Sequence, residues 1–274
     1  MEMKAWLKKY DPRALIIVSY FACFIPAFGQ QFKVLLYTSP DRWHDQTIPV
    51  AIEQFRELAE KHDFELVWAQ ANGSGSIKDV FTAKYLNKVD AVVFLHSRVF
   101  DLSEDQMSAF KRYIQEGGGF VGIHSCVPKE NHSLWFKQLI GRILTDHPEE
   151  QTAVIQVKDK SHPSTMHLQD SWIWTDEWYS FGPALTDNQK LLLTVDENTY
   201  DPDRTWGDDN RFTAMGDFHP ISWYQEFDGG RSFYTTLGHL PAAYEDPWFL
   251  AHIYGGIYWA ATGFGIIEEK KKHE

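Results

Sequence analysis

Cysteine is nearly absent from this chain of 274 residues, which has two, Cys23 and Cys126. Cys23 falls in a segment read below as a removable leader. That leaves Cys126 alone, and one thiol makes no internal disulfide. The folded part must then be held by its apolar core. Basic runs are equally scarce. Lys270-Lys271-Lys272 is the one cluster, and the formal net charge is −12. A phosphate backbone would be repelled, so no nucleic-acid partner is expected. No internal repeat or low-complexity segment is visible. No local metal spacing such as H-E-x-x-H occurs, and no nucleotide cofactor is expected.

Long apolar runs are also missing, with one exception. Ala14 to Phe28 is an almost unbroken apolar stretch, preceded by Lys4, Lys8, Lys9 and Arg13. Its length suits the apolar region of a secretory leader and is short for a membrane span. Ala27 and Gly29 place small residues where a signal peptidase needs them. Residues 1–29 therefore read as a signal peptide cleaved before Gln30, the alternative being an uncleaved anchor. Ser19-Tyr20-Phe21-Ala22 before Cys23 is a poor lipoprotein signal. The expectation is an exported protein, periplasmic or secreted, with no membrane contact after cleavage. Removing the net +2 of residues 1–29 leaves −14.

What remains is rich in apolar residues, 43%, and in aromatic ones, 15%. Phe32 to Ser39 is a continuous apolar run, as in a strand buried on both faces. Ile48 to Lys61 has helical spacing. Phe64 to Ala69 and Asp90 to His96 read as the next strands, with the turn-rich Ala71–Ser76 between them. Ser103 and Gln106 form a capping box for a helix that stops at Gly117. Gly119 to Ser125 is a fourth strand. This alternation is the pattern of a doubly wound, mostly parallel α/β sheet. In such sheets ligands bind beyond the carboxyl ends of the strands.

The second half is less regular. Gln151–Val157, Ser171–Phe181, Lys190–Val195 and Ile221–Phe227 read as strands, and Gly229-Gly230 turns into Arg231–Leu237. Pro247–Thr262 is a closing helix. Residues 30–266 are read as one domain with an elaborated C-terminal half, and 267–274 as a charged tail.

Gly117 to Cys126 (GGGFVGIHSC) is the stretch richest in chemistry. A sharp turn after a strand holds one side chain exposed above the sheet. Gly122-Ile123-His124 has the form of the Gly-Ile-Cys elbow of class I glutamine amidotransferases, with His124 at the nucleophile position. Cys126 lies two residues on, where the chain is leaving the site, and Pro128 follows. A thiol nucleophile also needs a base and a depressed pKa. A plain packed thiol is the favoured reading of Cys126, and a Cys126-dependent hydrolase the lesser alternative.

With Trp43-His44-Asp45, Gly117 to Ser125, His162-Pro163, Asp176-Glu177-Trp178-Tyr179, Trp223, Gly230 to Tyr234 and Leu237-Gly238-His239 in this order, the chain resembles the ThuA-like (trehalose utilisation) family. The resemblance runs from about Lys33 to Gly263. It implies a class I glutamine amidotransferase-like, flavodoxin-like fold and a role in disaccharide or glycoside use, acting on a sugar or keto-sugar. Two features depart from the family. Cys126 stands where a small residue is usual, and the segment from Asp201 to His219 is long and polar.

His44, His124 and His239 each fall at a strand end or in the loop beyond it. Imidazole and carboxylate together suit proton transfer. They equally suit a divalent metal, Zn, Mn or Fe, with His44, His124 and His239 as ligands. Asp176 and Glu177 are adjacent, so on a strand they point to opposite faces. Glu177 is read as the one in the site, sharing a face with Tyr179. The expected catalytic group is thus His124, Glu177, His239 and His44. Trp43, Trp178, Tyr179, Asp45 and His96 are expected to line the sugar pocket. Arg231 is read as a surface residue, and His147 and His162 as loop caps. The rival reading is a non-catalytic carbohydrate-binding protein that keeps the ring platform.

Overall fold

The computed structural model describes residues 30–71, 77–97, 102–128, 132–204 and 214–265. Residues 1–29, read above as a leader, most of the Ala71–Ser76 loop, residues 205–213 of the Asp201–His219 segment and the tail from 266 fall outside the described residues.

The elements follow in the order β1 (Lys33–Thr38), α1 (Thr47–His62), β2 (Glu65–Gln70), α2 (Ile77–Val80), α3 (Ala83–Leu86) and β3 (Ala91–Leu95). Next come α4 (Glu104–Gln115), β4 (Gly119–Ile123), α5 (Leu134–Ile140), β5 (Leu144–Asp146), β6 (Gln151–Val157), β7 (Ser171–Asp176) and β8 (Ser180–Phe181). The chain closes with β9 (Lys190–Asp196), β10 (Pro220–Phe227), β11 (Gly230–Thr235) and α6 (Pro247–Thr262).

One mixed sheet carries the molecule, in the order β2-β1-β3-β4-β11-β10-β9-β6-β7. The pairs from β2 to β11 are parallel, and those from β11 to β7 are antiparallel. β11 is thus the hinge between a parallel half and an antiparallel half. Two reversals separate β11 from β9, and two more separate β9 from β7. The carboxyl ends of β1, β3, β4, β11 and β7 therefore reach the same edge.

β1, β3 and β4 read as apolar runs because both of their faces are covered. One face packs on α1 and α6, through Ile52, Phe55, Ile253 and Ile257. The other packs on α4 and α5, through Phe110, Ile114, Phe136 and Leu139. Ser103 caps α4 as its sequence implied, with both bonds of the capping box present. Gly119 permits the closest approach of α6. A Cβ there would sit 2.2 Å from the Ala260 carbonyl oxygen. Among the described residues no helix is long and apolar enough to cross a membrane.

Two expectations change. Ser171–Phe181 is not one strand, because β7 ends at Asp176 and β8 begins at Ser180 in a separate two-stranded pairing with β5. Residues 177–179 turn inward between them, so strand alternation cannot govern them. Arg231 is not a free surface residue. It donates to the Ala260 and Ala261 carbonyls and satisfies the open end of α6. His162 caps its loop as its sequence implied: its buried Nδ1 accepts from the Ser164 backbone N–H at 3.2 Å.

Candidate functional site

β4 ends at Ile123, and a 3-10 turn over His124–Cys126 takes the chain away from the sheet. His124 sits at the turn with φ of 54°, and His96, just past β3, has φ of 45°. An L-residue in the left-handed region is strained, and such strain gathers at functional sites. Surrounding bonds hold it. Tyr234 donates its hydroxyl to the His124 carbonyl at 2.8 Å.

The His124 ring is fully buried. Its Nδ1 lies 2.5 Å from the Thr236 carbonyl just beyond β11. A carbonyl only accepts, so Nδ1 carries the proton and Nε2 presents a lone pair. Tyr179 offers its hydroxyl to that lone pair at 2.9 Å. His239 Nδ1 stands 3.2 Å from the same atom, and Glu177 Oε2 stands 3.3 Å from it. Glu177 Oε2 is also 3.4 Å from His239 Nδ1. Glu150 pairs with the far nitrogen of His239, Nε2, at 3.1 Å.

His44 and His96 stack beside this group, ring centroids 4.3 Å apart. Asp41 holds His44 Nδ1 at 2.8 Å. His96 has looser partners, Ser125 and Tyr244, each at 3.4 Å. His147 lies across Tyr179 and places Nδ1 3.7 Å from Glu177 Oε1.

Asp176 is the clamp beneath the site. Its Oδ1 accepts from the Glu177 and His239 backbone N–H groups, and its Oδ2 from Gly238 N–H and the Trp174 indole. Burial pushes its carboxyl up to about 7, while the four donors pull the other way. Every partner is a donor, so the ionised form is the one the surroundings accommodate. Thr47, at the start of α1, fastens the His239 carbonyl from the other side at 2.7 Å.

Burial works against charge on three of the rings. Burial, then the neighbouring imidazoles, hold His124 and His96 well below the usual histidine range. Burial lowers His239 as well, against the pull of Glu177. Burial raises the Tyr179 hydroxyl well above its ordinary range, so it remains a proton donor. The arrangement therefore offers unprotonated nitrogens, the Glu177 and Glu150 carboxylates and one neutral hydroxyl close together. Two donor sets there are compact enough for a cation: His44, His124 and His239, and Glu150, Glu177 and His239, each within 4.8 Å.

The structure gathers His44, His96, His124, His239, Glu177 and Tyr179 into one cluster. It does not gather the others. Trp178 is fully buried and donates to the Gln151 carbonyl, in the core away from the rings. Tyr179 is 3% exposed, too deep to serve as a stacking surface. Trp43 is 64% exposed, with the Arg42 guanidinium 4.2 Å above its ring, and Asp45 is exposed beside it. Of the three expected platform rings, only Trp43 is available to a ligand. Cys126 is buried, and burial raises its thiol above the usual range, opposite to what a nucleophile needs.

Sequence reasoning missed His147, Glu150 and Asp41. His147-Pro148-Glu149-Glu150 is the usable signal, an ionisable cluster in a short loop before β6. Asp41 stands three residues before His44, within reach of its ring.

The ThuA family model, described as trehalose utilisation, matches residues 33–260. No curated protein matches the sequence significantly. A ThuA-like protein from Bacteroides uniformis has a similar structure, with a TM-score of 0.71 and 22% identity over 89% of this chain and 94% of that one. A second ThuA-like protein, from Parabacteroides merdae, superposes with a TM-score of 0.64 and 21% identity over 88% and 93%. At these identities the likeness establishes the fold.

Proposed function

From the chain's membership of the ThuA, trehalose-utilisation, family, we propose that it is an exported enzyme that processes a sugar or keto-sugar by imidazole and carboxylate acid–base chemistry. One observation carries the reading. Glu177 Oε2 and two unprotonated imidazole nitrogens converge within 3.4 Å of one another, above a hydroxyl kept protonated.

On a sugar oxidised at a ring carbon, the C–H beside the carbonyl is acidic. Glu177 is the base that takes this proton, since its carboxylate is the one negative group in the inner cluster. The electrons move to the carbonyl oxygen, forming an enolate. Neutral hydrogen-bond donors aimed at that oxygen lower the barrier. The Tyr179 hydroxyl, resting on His124 Nε2, is the donor that would turn to it. His239, joined to both Glu177 and Glu150, can return the proton to carbon or to a departing oxygen. Return to the adjacent carbon gives isomerisation, and loss of the glycosidic oxygen gives elimination. His124, pinned by Thr236, holds the group in register. Trp43 at the rim is the ring for a second sugar unit.

The doubly wound, flavodoxin-like reading of the fold is supported by the parallel order β2-β1-β3-β4 with helices on both faces. Export is supported by the basic and apolar pattern of residues 1–29.

The test is incubation of the purified protein with native and 3-oxidised disaccharides, followed by product analysis. Turnover of the oxidised sugars, lost in Glu177→Gln while the chelator-treated variant unfolds like the chelator-treated parent, is the expected result. Saturable sugar binding without turnover of any of them would replace the enzyme with a binding protein. The exposed Trp43 is the feature that favours that second reading.

A further inference from the structure

The tautomers at the centre of the cluster leave an unresolved repulsion. His124 Nδ1 is protonated because it faces the Thr236 carbonyl. His239 has a carboxylate at each nitrogen, Glu150 at Nε2 and Glu177 at Nδ1, and with its proton on Nε2, toward the nearer one, the Nδ1 lone pair faces inward. His44 Nδ1 is protonated because it faces Asp41. Each ring thus turns its lone pair inward. His124 Nε2, His239 Nδ1 and Glu177 Oε2 stand 3.2, 3.3 and 3.4 Å apart pairwise. Three Lewis bases meet, and Tyr179 brings the one hydroxyl proton bonded there.

These separations have a second meaning. A zinc ion bonded to nitrogen and oxygen at about 2.05 Å in a tetrahedron keeps its ligand atoms about 3.3 Å apart. The three measured edges match that figure. Two histidines and a glutamate are also a donor set that catalytic zinc takes with one position left open. The outer partners fit as well. Ligating histidines donate their other ring N–H to a carboxylate or a backbone carbonyl. All three rings here do so, through Glu150, Thr236 and Asp41.

We propose that His124 Nε2, His239 Nδ1 and Glu177 Oε2 bind a divalent transition-metal ion of the zinc class. His44 faces the same space as a third imidazole and fourth donor. The triad expected from sequence, His44, His124 and His239, is itself compact enough for a cation, and Glu177 adds a carboxylate to it. Glu177 Oε2 lies 3.3 and 3.4 Å from the two histidine nitrogens, and His44 also stacks on His96. The catalytic use of the ion rests on the sugar-processing reading above, with Glu177 then a ligand and the base role passing to a neighbouring imidazole. The binding itself does not rest on it.

The test uses the full chain, stripped with chelator and titrated with Zn²⁺ by calorimetry, with elemental analysis before and after. One Zn²⁺ per chain is expected, and a rise in melting temperature on loading. Glu177→Gln and His239→Gln should abolish both effects, while His62→Gln, remote from the cluster, should keep them. Glu150→Gln should keep the stoichiometry and weaken binding about 10–100-fold, the usual cost of losing an outer partner. Substitution with Co²⁺ should give the visible bands of a nitrogen and oxygen tetrahedron. A stripped chain with a normal urea transition that takes up no Zn²⁺, Mn²⁺ or Fe²⁺ would overturn the proposal. So would uptake that survives Glu177→Gln and His239→Gln unchanged. Sugar turnover by a metal-free chain would refute the ion's catalytic use and leave the sugar reading standing. Metal uptake without any sugar turnover would do the reverse.

Discussion

Replacing Asp176 with asparagine is the most informative single change outside the inner cluster. The side chain keeps its shape and loses one acceptor. Asp176 takes two N–H donors on each oxygen, from Glu177 and His239 on one side and Gly238 and Trp174 on the other. Whichever way the new amide is turned, its NH₂ group faces two donors. Each buried donor left without a partner costs about 1–3 kcal/mol. The expected loss is therefore about 2–6 kcal/mol, a large part of the 5–15 kcal/mol that typically separates native from unfolded chains. In a domain of this size that is roughly 5–20 °C in melting temperature. Urea unfolding of Asp176→Asn and the parent at pH 7.5 measures it directly. Because the lost bonds fix the backbone of both Glu177 and His239, activity and ligand affinity should fall at temperatures where the variant is still folded. A variant within about 1 kcal/mol of the parent would refute the reasoning, since the carboxylate would then not be the acceptor of four bonds.

Three further outcomes are expected. Burial holds His252 at about 3 and His162 at about 4, so both are neutral when folded. An unfolded histidine takes up its proton near 6.5. Their contribution is therefore complete above that pH and is lost as pH falls toward the folded values, by about 2 kcal/mol each at pH 5. The drop in urea stability between pH 6.5 and 5 should be smaller in His252→Gln than in the parent. Gly119→Ala forces a Cβ against the Ala260 carbonyl. It should cost at least the ~1–3 kcal/mol typical of overpacking, read as a lowered urea midpoint. Trp178→Phe removes the bond to Gln151 and should lower stability by about 1 kcal/mol. It should leave KM for any substrate unchanged, and a raised KM would return Trp178 to the binding surface.

The parts of the molecule legible in the sequence are those fixed by neighbours along the chain. β1, β3 and β4 show as apolar runs because α1, α4, α5 and α6 cover both of their faces. Ser103 and Gln106 show because a capping box is complete within four residues. The imidazoles at 44, 96 and 124 were visible as strand-end residues, and the sheet order brings such ends to one edge. What stayed hidden depends on loops that close over that edge from far away. Glu177 was assigned by strand alternation, yet no strand exists at 177–179, and its orientation is set by Asp176 and the turn into β8. Trp178 and Tyr179 looked like ligand surfaces because aromatic side chains look alike in sequence, whether they face water or the core. His147 and Glu150 lie in the loop between β5 and β6. Their partners, Glu177 and His239, are tens of residues away, and no local pattern reports such pairings.

Exposure within the cluster is graded. Side-chain accessibility is 28% for His147, 26% for Glu150 and 12% for His239, and zero for His124. A solute bound over His147, Glu150 and His239 would sit on the route by which anything smaller reaches the innermost ring. Arrival and departure would then be ordered: whatever lodges against His124 must enter first and leave last. A tight sugar should accordingly shield the interior from chelators and histidine reagents, so the rate of protection from such reagents doubles as a measure of occupancy at the outer position.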